Sequence, residues 1–186
     1  MLHNLNFHGL TFLVADAGDN FRKIAVGMLR DFGASNIVEA RDGNDVLARL
    51  GRSQVDMLLC DAFLAGINGF DLTKKIRLEE NPHRYIPIVI LSSHTQQGNV
   101  ERARDCGANM VIAKPLSPRS LYSRLVWAAE NERAFIESPT YCGPDRRFKI
   151  EGFPGGVGRR AEDNVEDVGD ASGPDMSQDE IDALFK

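Results

Sequence analysis

VDMLLCDAFLAGINGFDLTKKIRL, which occupies residues 55–78, is the stretch that decides the fold. Its first part, residues 55–60, is almost entirely apolar, as expected of a strand that is covered on both faces of a parallel sheet. Its last part, residues 69–78, has the apolar spacing of an amphipathic helix. The stretch therefore predicts one strand-loop-helix unit of an α/β protein, with Asp61 directly after the strand.

Similar units lie on both sides of this stretch. Further strands are predicted at LTFLVA (10–15), NIVEA (36–40), YIPIVIL (85–91) and NMVIA (109–113), each followed by a helical pattern. In the first helix, Phe21, Ile24, Ala25 and Met28 have the spacing of one buried face. We expect a flavodoxin-like (βα)5 domain over residues 9–136, a doubly wound parallel sheet with strand order 2-1-3-4-5.

Charge is distributed unevenly over the 186 residues, whose formal net charge is −5. Residues 1–136 hold 16 basic and 15 acidic side chains, whereas residues 137–186 hold 6 and 12. The first part therefore lacks the basic surface typical of nucleic-acid binding. No apolar stretch is long enough to span a bilayer, and the N-terminus lacks the features of a secretory signal, which predicts a cytoplasmic protein that does not bind membranes.

Four chemically useful side chains follow predicted strands. Because the carboxyl ends of parallel strands meet at one edge of the sheet, the first, third, fourth and fifth strands should bring these residues together. Two carboxylates, a hydroxyl and an ammonium suit phosphoryl transfer to an aspartate, and the two carboxylates suit Mg²⁺. The four residues are Asp16, Asp61, Ser92 and Lys114.

Four separate segments resemble, in order and spacing, response-regulator receivers of the chemotaxis CheY type. They are FLVADAGDNFRKI (12–24), LLCDAFLAGINGFDLTKKIR (58–77), IPIVILSSH (86–94) and CGANMVIAKPLS (106–117). The resemblance implies a phosphoprotein of a two-component phosphorelay, phosphorylated by a sensor histidine kinase or a phosphotransfer protein. It also points to chemotaxis or motility signalling.

The resemblance assigns a role to each residue of the predicted site. Asp61 would be the phosphoacceptor, Ser92 the hydroxyl that moves onto the phosphoryl group, and Lys114 its cationic partner. Mg²⁺ would be held by Asp16, Asp61 and the backbone carbonyl of Phe63. The family also implies a cis bond between Lys114 and Pro115.

Three positions depart from the family pattern. Ala17 stands where a second acid is usual, so that Mg²⁺ binding with normal strength is in question, and Asp19 is expected to cap the first helix instead. Val111 replaces the usual aromatic residue of the fifth strand. Phe63 and His94 occupy positions that affect access of the hydrolytic water, which suggests that Phe63 slows dephosphorylation.

The remaining residues form a tail of different composition. Residues 137–175 are rich in Gly, Pro, Asp and Glu and predict a disordered, flexible acidic linker. Residues 176–186 predict a short amphipathic helix, with Ser177 and Glu180 as a capping box and Ile181, Leu184 and Phe185 on one apolar face.

MSQDEIDALF (176–185) resembles the N-terminal peptide of the flagellar motor switch protein FliM and the C-terminal peptide of the phosphatase CheZ, which bind receivers. The helix would dock on its own receiver or on another. In the linker, Arg146, Arg147, Arg159 and Arg160 are either a solvated, charge-balanced stretch or an arginine clamp for an acidic partner or a nucleotide such as cyclic di-GMP.

These features favour a signalling protein that acts through protein binding, without a DNA-binding output domain, over an enzyme. One alternative is a phosphorylation-independent pseudo-receiver, which Ala17 and Val111 favour and which Asp61, Ser92 and Lys114 oppose. Another is a small aspartyl-phosphate phosphohydrolase, which the missing cap or substrate-binding insertion disfavours.

Overall fold

A five-stranded parallel sheet forms the centre of the protein. The computed structural model describes residues 7–80, 82–130, 134–145 and 174–185. The strands are β1 (Thr11–Ala15), β2 (Asn36–Ala40), β3 (Met57–Asp61), β4 (Ile88–Ser92) and β5 (Met110–Ala113), in the order β2-β1-β3-β4-β5. This order confirms the predicted flavodoxin-like fold.

Helices cover both faces of this sheet. They are α1 (Asp19–Asp31), α2 (Gly43–Leu50), α3 (Gly69–Leu78), α4 (Gln97–Asp105) and α5 (Pro118–Glu130). Two apolar clusters fill the spaces between sheet and helices, one against α1 and α5 and the other against α2, α3 and α4. Within the described part of the chain, no helix has both the length and the apolar character that crossing a membrane requires.

The predicted buried face of α1 is confirmed for Ala25, and Phe21 and Met28 pack partly buried against the same core, but the prediction was wrong for Ile24. Ile24, predicted to be buried, is 53% exposed, and the helix buries Ala25, Val26 and Leu29 together with Arg22. Arg22 tolerates burial because its guanidinium donates to the Asp16 carbonyl oxygen at 2.7 Å and to Glu39 at 3.0 Å. Apolar spacing could not reveal a face that includes a hydrogen-bonded cation.

The fourth strand also begins later than predicted. Residues 85–87 lie outside β4, which starts at Ile88. Pro87 has no N–H to donate to a neighbouring strand, so the apolar run YIPIVIL overstated the length of the strand. At its other end β4 includes Ser92.

Part of the predicted linker is folded. Residues 137–145 lie in or beside an antiparallel pair of short strands, β6 (Phe135–Glu137) and β7 (Cys142–Pro144), so ordered structure continues beyond residue 136. Tyr141 and Cys142 are buried. A Cβ at Gly107, whose φ is +94°, would lie 2.5 Å from the Cys142 carbonyl oxygen, so this packing requires glycine.

The last described element is α6 (Gln178–Phe185), which packs against β5 and α4. Its predicted capping box is confirmed, because the Ser177 N–H donates to Glu180 Oε2 at 2.7 Å and the Glu180 N–H donates to Ser177 Oγ at 3.4 Å. The four linker arginines, Arg146, Arg147, Arg159 and Arg160, lie outside the described residues.

Candidate functional site

Two carboxylates and one ammonium meet at the carboxyl end of the sheet. Lys114, directly after β5, places Nζ 2.6 Å from Asp16 Oδ2 and in an ion pair with Asp61 Oδ2. Asp16 follows β1 and Asp61 ends β3, and these two strands are neighbours in the sheet. The structure thus brings together three of the four residues predicted for the site, across a sequence separation of 98 residues.

Backbone groups orient these side chains. The Gly18 N–H donates to Asp16 Oδ1 at 2.7 Å, and the Phe63 N–H donates to Asp61 Oδ1 at 2.6 Å. Lys114 Nζ also lies 3.9 Å from the centroid of the Phe21 ring, and the Lys114-Pro115 bond is cis. One oxygen of each carboxylate is therefore held by the backbone while the other faces the lysine.

Ser92, the fourth predicted residue, ends the strand next to β3 and is buried. Its backbone carbonyl accepts a hydrogen bond from the Lys114 N–H at 2.8 Å. Its hydroxyl bonds to His94, donating to the carbonyl oxygen at 2.9 Å and accepting from the N–H at 3.0 Å. Ser92 thus contacts the backbone of Lys114, and its side chain is engaged by the following loop.

An aromatic pair stands at the rim of this site. Phe63 is 50% exposed, and its ring packs edge-on against His94, with 5.2 Å between ring centroids. It also meets the ring of Phe70 at 6.0 Å. Phe63 therefore bridges the loops that follow β3 and β4.

The loop after β1 supplies one carboxylate to this site. Ala17 is exposed and carries no ligand group, and Asp19 points away to pair with Arg22. Asp19 is not the helix cap that we expected, because Gly18 holds that position. The hydrogen bond from Arg22 keeps the pKa of the Asp19 carboxyl below its usual value.

A magnesium ion fits this donor set. Two carboxylates and one ammonium leave a net negative charge in a largely buried pocket, which favours a cation with hard oxygen ligands. Within the described residues no third His, Cys, Asp or Glu side chain joins these two carboxylates in a possible metal-binding group. Asp16 and Asp61 are thus the side chains available, and bound Mg²⁺ commonly keeps several water ligands.

The C-terminal helix makes polar contacts with β5 and α5 that the sequence did not predict. Gln178 accepts from the Ala113 N–H at 2.7 Å and donates to the Val111 carbonyl oxygen at 3.0 Å. Asp182 accepts two hydrogen bonds from Arg124 of α5, at 3.2 and 2.8 Å. These contacts fix α6 along β5 and beside α5.

The apolar face of α6 completes one of the two apolar clusters that flank the sheet. Ile181 and Phe185 are fully buried, and Leu184 is partly buried against the same cluster. Val100 and Ala103 of α4 and Val111 of β5 belong to it as well. We call α4, β5 and α5, where α6 lies, the tail-binding face.

Known proteins resemble the sheet and its first five helices. The model of the response regulator receiver domain family matches residues 12–126. Chemotaxis protein CheY-3 of Vibrio cholerae is 29% identical over 116 residues, which cover 62% of this chain and 88% of that protein. Chemotaxis protein CheY of Pseudomonas aeruginosa is 27% identical over 116 residues, covering 62% and 93% of the two chains.

A solved structure agrees with these relatives. The receiver domain of a sensor histidine kinase from Pseudomonas aeruginosa has a TM-score of 0.60 and 27% sequence identity, and the match covers 66% of this chain and 100% of that one. That domain was crystallised with a magnesium ion coordinated in its active-site cleft. The family match ends at residue 126, so β6, β7 and α6 lie beyond it.

Proposed function

We propose, from the premise that this chain belongs to the response regulator receiver family, that it receives a phosphoryl group on Asp61 in a two-component phosphorelay. The observation that carries the proposal is the contact of Lys114 Nζ with both Asp16 and Asp61. The donor would be a phosphohistidine of a sensor histidine kinase or a phosphotransfer protein. Because its relatives are chemotaxis proteins, we assign the chain to chemotaxis or motility signalling.

The reaction is a transfer between two nucleophiles. Asp61 Oδ2 attacks phosphorus, an O–P bond forms, and the N–P bond of the phosphohistidine breaks, leaving the imidazole with the electron pair. Lys114 neutralises part of the negative charge of the phosphoryl oxygens. Ser92 would donate its hydroxyl to one of those oxygens once the phosphoryl group is in place.

Mg²⁺ is the cofactor that this site would hold. Asp16, Asp61 and the Phe63 carbonyl oxygen are its proposed protein ligands. When bound, the ion would neutralise charge on the phosphoryl oxygens. The positions of Asp16 and Asp61 around one ammonium support this assignment.

Incubation with acetyl phosphate and Mg²⁺, followed by intact-mass measurement, tests the function. A gain of one phosphoryl group that requires Mg²⁺ would support the proposal. No gain would favour the alternative that Ala17 suggests, a pseudo-receiver that binds partners without phosphorylation. Continuous turnover of an added phosphate ester would instead indicate a phosphohydrolase.

Phe63→Asn should shorten the lifetime of the phosphorylated chain severalfold. Phe63 is half exposed, and its backbone N–H bonds to the Asp61 carboxylate, so we expect its ring to limit access of water to a phosphoryl group there and a smaller polar side chain to admit it. The measurement is the decay of the phosphorylated mass after acetyl phosphate is removed. Tyr85→Asn is a matched control, since Tyr85 is also half exposed but precedes β4 at the opposite end of the sheet. Equal lifetimes in both variants would contradict this role of Phe63.

We also infer that residues 176–185 are a receiver-binding peptide and that it docks on its own receiver. Ile181, Leu184 and Phe185 would be its anchors. The burial of Ile181 and Phe185, together with the bonds of Gln178 and Asp182, supports this inference. Docking on a receiver of another chain is the competing arrangement.

Ile181→Asp is expected to displace α6, because a carboxylate at a fully buried position loses its hydration without gaining a partner. Amide chemical shifts of Thr95 and Ala113, whose N–H groups bond to the tail, should change strongly. Ala183→Asp places the same charge on the exposed face of α6 and should leave them unchanged. Wild-type shifts that vary with protein concentration would show docking between chains and contradict the intramolecular arrangement.

A further inference from the structure

One peptide group connects the proposed phosphorylation site with the docked tail. The carbonyl oxygen of His94 accepts a hydrogen bond from the Ser92 hydroxyl at 2.9 Å. The N–H of Thr95 belongs to the same peptide group and donates to Asp175 Oδ1 at 2.9 Å. A peptide group is planar and rigid, so it cannot turn for one of these partners without turning for the other.

The tail holds this loop through two more bonds. The Met176 N–H donates to the Thr95 carbonyl oxygen at 2.9 Å, and Thr95 Oγ1 donates to the Met176 carbonyl oxygen at 3.0 Å. Thr95 is therefore bonded to the tail through its N–H, its carbonyl and its side chain. The residue before it, His94, is bonded to Ser92 through both of its backbone polar groups.

The Ser92 hydroxyl has only one proton to donate. If that proton is given to a phosphoryl oxygen on Asp61, the His94 carbonyl loses the closer of its two donors and keeps the Asn99 side-chain amide, which lies 3.4 Å away. The peptide group between His94 and Thr95 is then held less firmly in its present orientation. Docking of the tail holds this peptide group in the orientation in which the His94 carbonyl accepts the proton of the Ser92 hydroxyl.

We propose that docking of the tail on the tail-binding face and phosphorylation of Asp61 oppose each other through the peptide group of His94 and Thr95. This inference rests on the proposed phosphorylation of Asp61. Linkage is reciprocal, so a docked tail lowers the tendency to accept a phosphoryl group, and a phosphoryl group weakens docking. Phosphorylation would then expose both the apolar face of α6 and the tail-binding face. An amphipathic helix of a partner protein, with apolar residues spaced as in α6, could then occupy the tail-binding face.

The rate of phosphorylation at limiting acetyl phosphate, with Mg²⁺ present, tests the coupling. Ile181→Asp, which displaces α6, should raise this rate about fivefold or more, the range typical of coupled sites. Asp175→Ala, which removes the acceptor of the Thr95 N–H, should raise it less. Asp179→Ala is the matched control, because Asp179 is an exposed acid of the same helix and should leave the rate unchanged.

A second comparison separates this coupling from a general loosening of the fold. In a Ser92→Ala background the hydroxyl is absent, so Asp175→Ala should no longer change the rate. In the wild-type chain, hydrogen exchange at the Ala113 amide, which bonds to Gln178, should accelerate upon phosphorylation.

Equal phosphorylation rates in the wild-type, Ile181→Asp and Asp175→Ala chains would overturn the coupling and leave phosphorylation of Asp61 intact. Unchanged exchange at Ala113 upon phosphorylation would overturn it as well. Failure of every variant to take up a phosphoryl group would overturn both this inference and the proposed function.

Discussion

Asp61→Asn is expected to abolish the mass gain of one phosphoryl group that acetyl phosphate and Mg²⁺ give to the wild-type chain. An amide has the shape of the carboxylate but lacks the anionic oxygen that attacks phosphorus. Because removal of a nucleophile disables a catalytic unit as a whole, we expect a fall in rate of more than about a hundredfold.

The substitution should leave the fold intact. The amide oxygen can still accept the hydrogen bond from the Phe63 N–H, which the carboxylate accepts at 2.6 Å. Circular dichroism should therefore be unchanged. Asp31→Asn, at an exposed position of α1, is a control that should retain the full mass gain. A phosphoryl group that persists in Asp61→Asn would place the acceptor elsewhere, and peptide mass mapping would locate it.

Arg77→Ala is expected to cause the largest loss of stability. The guanidinium of Arg77 is fully buried and donates to the Gly107 carbonyl at 3.0 Å, the Arg84 carbonyl at 2.6 Å and Asn109 Oδ1 at 2.8 Å. Burial lowers its pKa to about 10, so it remains charged at neutral pH. Its removal would take this donor from the Gly107 and Arg84 carbonyl oxygens, leave Asn109 Oδ1 with the Ile88 N–H, and open a cavity.

Together these effects should cost about 2–4 kcal/mol. For a chain of this size that corresponds to a fall in melting temperature of about 5–15 °C. Thermal unfolding followed by circular dichroism measures it. Arg77→Lys should also destabilise, because one ammonium cannot match the planar fork of a guanidinium. Arg52→Ala, at an exposed position, is the control, and a melting temperature of Arg77→Ala equal to that of this control would show that the three bonds contribute nothing.

The sequence predicted the sheet and the convergence of its strand ends well. Long apolar runs such as residues 55–60 identify buried strands, and parallel strands necessarily bring Asp16, Asp61 and Lys114 to one edge. The orientation of the Ser92 hydroxyl toward His94 could not be predicted, because it depends on the path of the loop after β4.

The errors arose where long-range contacts override local pattern. β6 and β7 have only three residues each, and β7 consists of Cys, Gly and Pro, a composition that resembles a linker. They are ordered by contacts with distant residues, such as Gly107 against Cys142 and Arg77, which lies 5.1 Å from the Phe135 ring centroid. Apolar spacing likewise predicted the anchors of α6 but not its pairing with Arg124, 58 residues away.

Because β5 is an edge strand of the sheet, the hydrogen bonds of Gln178 have a second effect. A terminal strand exposes backbone N–H and C=O groups that can recruit a strand of another molecule and begin aggregation. The side-chain amide of Gln178 occupies two such groups, the Ala113 N–H and the Val111 carbonyl. While it is docked, the C-terminal helix thus also shields the outer margin of the sheet from self-association.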